Sequence, residues 1–186
     1  MADTIYGAIR ILYRFIRNPF SESLDDVEDD KSLVVIASIL SACTVYVTAV
    51  TTILGRQSTY YEAESYYIFY VLTGLLLTPL FGLLIVHFAG GVFHLYLKYI
   101  ASPLFKATID NMVRAKQITT FATIGLVVSS VPSLTHLGTV IAMIIEVLGL
   151  YRLFDIGLIK SFFIAVVHRI LWGAAIAFIA SDTRWI

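Results

Sequence analysis

Apolar residues run along this chain in long blocks separated by short polar stretches. The first segment is different. Over residues 4–20, Ile5, Ile9, Leu12 and Ile16 recur at spacings of four, three and four. Arg10, Arg14 and Arg17 recur in the same way on another face. This period predicts an amphipathic helix with a basic stripe, ended by Asn18-Pro19. Such a helix either lies in a membrane interface on anionic headgroups or packs on a cytoplasmic face of the protein itself.

An acidic linker follows, with Glu22, Asp25, Asp26, Glu28, Asp29 and Asp30. It lacks the spacing and central glycine of a calcium-binding loop. Its last acids are placed to cap the next helix.

Five apolar runs come next, at about 32–54, 67–97, 117–134, 137–159 and 161–180. A helix needs ~20 residues to cross a bilayer; four of the runs are near that length, and the second, 67–97, is longer than one perpendicular crossing requires. The expected fold class is therefore all-α: a polytopic membrane protein of five transmembrane helices, residues 32–186, preceded by the helix and linker of residues 1–31. The second run carries Pro79, which predicts a kink. Apolar character persists past Gly90-Gly91 to Ile100, so either the helix is tilted and protrudes or the glycine pair hinges it; the glycines also permit close helix packing. Residues 98–117 form the longest polar connection, and a surface helix is expected there. Tyr60, Tyr61, Tyr66 and Tyr67 cluster before the second run, as in an aromatic belt.

Composition agrees with a membrane solvent. Hydrophobic residues make up 59% of the chain and charged residues only 14%, against ~25% charged in soluble domains. Mean hydropathy is +0.86. Asp3 and the arginines break any apolar core of a cleavable signal. The formal net charge of zero gives no reason to expect a nucleic-acid partner, and the lone Cys43 cannot form an internal disulfide.

The distribution of charge says more than its sum. With the N-terminus in the cytoplasm, Arg10, Arg14, Arg17, Lys31, Lys98, Lys106, Arg114, Lys116, Arg152 and Lys160 all fall inside. Arg56 and Arg184 fall outside, and Arg169 falls within the membrane. That asymmetry predicts an inside N-terminus and an outside C-terminus in the cell membrane. Arg10, Arg14, Arg17, Lys106, Arg114 and Lys116 are then candidates to meet lipid headgroups.

Ionisable groups inside a bilayer are costly and suggest function by default. Glu146 in the fourth run and His168 and Arg169 in the fifth come to similar depth if the two helices are antiparallel. They are expected to pair. The pair is either a structural clamp or part of a polar pathway. Arg152 and Asp155 read as a local surface pair. His87 and His94 share a helical face, but two histidines are a partial metal site at best, so no metal or other cofactor is expected. Catalytic signatures such as G-x-S-x-G, a P-loop, a dinucleotide fingerprint or C-x-x-C do not occur, and the chain is not expected to be an enzyme.

Several short features occur in a familiar order. They are Asn18-Pro19-Phe20, then His87-Phe88-Ala89-Gly90-Gly91, Pro132 and Gly138, then Gly149-Leu150-Tyr151-Arg152, and Lys160 opening the last run. In this order the chain resembles the prokaryotic branch of the Yip-domain family, relatives of the Rab-GTPase-interacting membrane proteins. The resemblance implies five spans with a cytoplasmic N-terminal region. In eukaryotic relatives it implies vesicle trafficking, membrane shaping and small-GTPase association. The long N-terminal domain and the D-L-Y-G-P-type signature of those relatives are not found here.

The expectation is a non-enzymatic membrane protein that acts through lipid or protein association. Its partners would be membrane lipids, a further copy of itself, or an unidentified protein. The alternative is a small oligomeric transporter or channel that uses the site between the fourth and fifth runs.

Overall fold

The structure is a computed structural model, and it describes residues 2–18, 29–55 and 63–182. The acidic positions from Glu22 to Glu28, the loop with Arg56, Tyr60 and Tyr61, and the tail with Arg184 lie outside these residues. The described residues are helical nearly throughout and contain no strand.

The helices are α1 (Ala2–Arg17), α2 (Asp30–Gly55), α3 (Ala63–Leu76), α4 (Thr78–Phe105), α5 (Met112–Ala122), α6 (Ile124–Ser129), α7 (Thr135–Leu153) and α8 (Leu158–Asp182). A single 3-10 turn, Pro132–Leu134, joins α6 to α7. Among the described residues, four helices are long and apolar enough to cross a membrane: Asp30–Thr52, Thr78–Phe105, Pro132–Leu153 and Leu158–Ala175.

The second expected run, 67–97, is built as two helices interrupted at Leu77. The cause is Pro79, whose nitrogen cannot donate to the carbonyl of Leu75. The Thr78 hydroxyl donates to that carbonyl instead, at 2.8 Å. Beyond it, α4 widens twice into π geometry, at Leu84–Ala89 and Leu97–Ala101. The helix runs on to Phe105 and stops where Lys106 turns left-handed (φ 48°). The surface helix expected over 98–117 is thus replaced by the end of α4, a short non-helical stretch, and the start of α5. Asn111 caps α5 by accepting from the backbone N–H of Arg114 at 3.1 Å.

The third expected run, 117–134, is likewise broken, at Thr123. The Thr123 hydroxyl donates back to the Thr120 carbonyl at 2.5 Å, a local bond that competes with the helix ladder. The short α5 is nonetheless the centre of the molecule. It packs against α2, α4 and α7, and Ala115, Ile118, Phe121 and Ala122 are buried among them.

Glycines set the closest approaches. A Cβ on Gly138 would strike Ser129 and the Gly125 carbonyl, and one on Gly125 would strike Gly138 and Ala142. Gly125-x-x-x-Ser129 and Gly138-x-x-x-Ala142 are small residues one turn apart, a spacing that lets helix backbones approach closely. Gly82 meets the backbone of Val34 and Ser38 on α2 in the same way. Of the expected glycine pair, Gly90 lies against Lys116, whereas Gly91 has open space where a Cβ would stand.

The helix α1 packs on α2. Ala8 and Phe15 are buried, Ile11 and Leu12 are half-buried, and the Phe15 ring meets Phe121 at 4.4 Å between centroids. Ile5, Ile9, Ile16, Tyr6 and Tyr13 stay exposed, as do Arg10, Arg14 and Arg17.

Candidate functional site

The connection between α7 and α8 is only a few residues long, with Asp155 left-handed at φ 52°, so the two helices run antiparallel. Glu146 lies two turns before the end of α7, about 10 Å along the axis at about 1.5 Å per residue. Arg169 lies three turns into α8, and its long side chain reaches back toward Glu146. Both groups stand well away from either helix end.

The structure brings Glu146, His168 and Arg169 together. The Arg169 guanidinium donates from Nη2 to Glu146 Oε1 at 2.5 Å and from Nε to Oε2 at 3.2 Å. His168 Nδ1 lies 3.3 Å from the same Oε2. Glu146 is 5% exposed. A lone carboxylate at this burial would be very costly, and the bidentate pairing removes much of that cost.

Two aromatic rings on α4, which sequence reading missed, complete the group. His168 packs on Phe93 at 4.7 Å and on Tyr96 at 5.1 Å between centroids. The Tyr96 hydroxyl donates to the Ile164 carbonyl at 2.6 Å, which ties α4 to α8. Phe93 and Tyr96 lie three residues apart on one helical face, but nothing in their spacing told which helix they would meet.

A second set of charges gathers at one end of the bundle, where α2, α5 and α8 begin and α4 and α7 finish. Lys116 donates to Asp30 at 2.6 Å and its side chain is only 8% exposed. It was expected to meet headgroups. Close packing against Gly90 encloses it instead, and its charge is taken by Asp30. Arg114 is exposed and its guanidinium donates to the Leu153 carbonyl, a cation on the negative end of α7. Lys98 pairs with Asp110 at 2.9 Å, and His94 lies 3.5 Å from the same carboxylate. Lys106, Arg152 and Lys160 are exposed at this end.

Pro79 and His87 are exposed on α4. No three His, Cys, Asp or Glu side chains converge on a common point among the described residues. A scan against protein-family models, a search of curated proteins and a search of solved structures find no match to this chain.

Proposed function

We propose that the chain is a non-enzymatic, multi-pass protein of the cell membrane that organises the bilayer around it by binding anionic lipid through α1 and the neighbouring basic end. In this reading α5 and α6 together make the remaining crossing. The N-terminus is cytoplasmic, the C-terminus is outside, and the protein is of the Yip-domain type.

One observation carries the reading. The helix α1 docks by Ala8, Ile11, Leu12 and Phe15, yet keeps a second apolar row, Ile5, Ile9 and Ile16, exposed beside Arg10, Arg14 and Arg17. On a water-soluble surface that row would be a liability. At a headgroup boundary the isoleucines enter the acyl region while the arginines meet phosphate. Each basic residue near an anionic surface contributes about 1 kcal/mol, so three give about 3 kcal/mol of lipid preference.

The test is lipid composition around the reconstituted full-length protein. Nanodiscs formed from mixed neutral and anionic lipid should retain anionic lipid when it is depleted by exchange. Replacing Arg10, Arg14 and Arg17 with glutamate should abolish that retention. Equal retention by the two proteins would remove the proposal.

A second reading, a small oligomeric transporter or channel, is favoured by the mid-depth charges of Glu146 and Arg169. Proteoliposome flux that is lost in Glu146→Gln would support it, and absence of flux under every imposed gradient would count against it.

A further inference from the structure

Arg169 has five N–H donors, and Glu146 occupies one on Nε and one on Nη2. Both hydrogens of Nη1 and the second of Nη2 have no acceptor among the described residues. The side chain is 30% exposed. In hydrocarbon, open donors on a guanidinium are costly because the solvent offers no acceptor. An unpaired arginine would snorkel to the surface, but the two bonds to Glu146 hold this head at mid-depth. Of the three open hydrogens, one on Nη1 and the one on Nη2 form the end-on pair. That edge presents two parallel N–H groups, the shape that matches a single oxyanion.

The surroundings on one side of the pair are open and largely apolar. Thr139 and Met143 lie on the Glu146 face of α7, toward its Thr135 end; Thr139 is exposed and Met143 half-buried. On α8, Trp172 and Gly173, one turn beyond Arg169 on its face, are exposed, and Val166, one turn before it, is half-buried. Below, the His168 ring is fixed by Glu146, Phe93 and Tyr96.

We propose that the open edge of Arg169 binds the carboxylate of a long-chain aliphatic acid, whose chain lies along the exposed apolar faces of α7 and α8. A carboxylic acid can enter the bilayer in its neutral form, whereas a phosphate monoester remains charged there. The proton that the acid loses on binding stays in the site, shared by the Glu146–His168 contact whose Oε2 and Nδ1 lie 3.3 Å apart, so two carboxylates face one guanidinium and one proton. The inference rests on the membrane placement of α7 and α8 and is independent of lipid binding by α1.

Trp172 stands one turn beyond Arg169 and serves as the reporter. The other tryptophan of the chain is Trp185, so a Trp185→Phe protein reports Trp172 alone. This full-length protein in neutral-lipid nanodiscs is titrated with 9,10-dibromostearic acid and, separately, with its methyl ester, and quenching is recorded. The acid should quench saturably with a half-point at least tenfold below that of the ester. Arg169→Lys keeps a cation opposite Glu146 but removes the end-on pair, and it should bring the acid's curve to that of the ester. Equal quenching by acid and ester in the protein that retains Arg169 would overturn the proposal, since only chain partition would then be at work. That comparison needs no variant at the site.

Discussion

The carboxylate of Glu146 takes two parallel bonds from the guanidinium of Arg169, at 2.5 and 3.2 Å, across two antiparallel helices and far from either helix end. The relationship is asymmetric. Glu146 is enclosed, while Arg169 keeps one edge open. Loss of one partner and loss of both should therefore have different consequences.

Glu146→Gln leaves the Arg169 charge without its counter-ion. It should destabilise the helical bundle by about 3 kcal/mol, the scale of breaking a buried pair. Glu146→Leu combined with Arg169→Leu removes both charges and should recover most of that loss. Reversible unfolding in mixed micelles followed by circular dichroism measures both. A double variant less stable than Glu146→Gln would contradict the pairing account.

The two adjacent glycines of α4 should respond with opposite signs. Gly90→Ala brings a Cβ to 2.9 Å from Lys116 Cγ and 3.1 Å from its Cα, so it must push α5 away and destabilise. Gly91→Ala meets nothing and should stabilise by about 0.5–1 kcal/mol through helix propensity. The same unfolding assay, applied to each single variant, checks the order.

Lys116 and Asp30 offer a further contrast. Asp30→Ala strands an enclosed ammonium and should cost about 3 kcal/mol. Lys116→Met keeps the packing against Gly90 without the charge and should cost much less. If Lys116 instead lay among headgroups, Asp30→Ala would be nearly silent.

Topology is predicted by the charge distribution. Reporters fused at the two ends should be active on opposite sides of the membrane, the N-terminal one in the cytoplasm. Both on one side would mean that α5 and α6 do not complete a crossing.

Much of this architecture was legible in the residues. Long apolar runs gave the spans at α2, α7 and α8, and counting residues along two antiparallel helices was enough to bring Glu146 to Arg169 and His168. The breaks were harder to read. Pro79 announced a disturbance, but the substitution of the Thr78 hydroxyl for the missing donor is a local bond with no sequence period. Thr123 ends α5 through its own backward hydrogen bond, which an apolar run does not reveal. Lys116 looked like any loop lysine, because its enclosure depends on Gly90 from a different helix. Gly125, Ser129, Gly138 and Ala142 did carry a signal, the spacing of small residues by four, which marks where α6 and α7 touch. Burial of α1 on one face and exposure of its second apolar row depended on packing partners that periodicity alone does not name.

The most direct test of the membrane-organising reading is the depth of α1. A Cys43→Ala, Ile9→Cys protein carries one thiol, since Cys43 is the only cysteine of the chain. An environment-sensitive fluorophore at position 9 in proteoliposomes should show blue-shifted emission and quenching by nitroxide-labelled lipid. Both should strengthen with anionic lipid and fade when Arg10, Arg14 and Arg17 are replaced by glutamate. Water-like emission in every lipid mixture, unaffected by the nitroxide, would contradict the account.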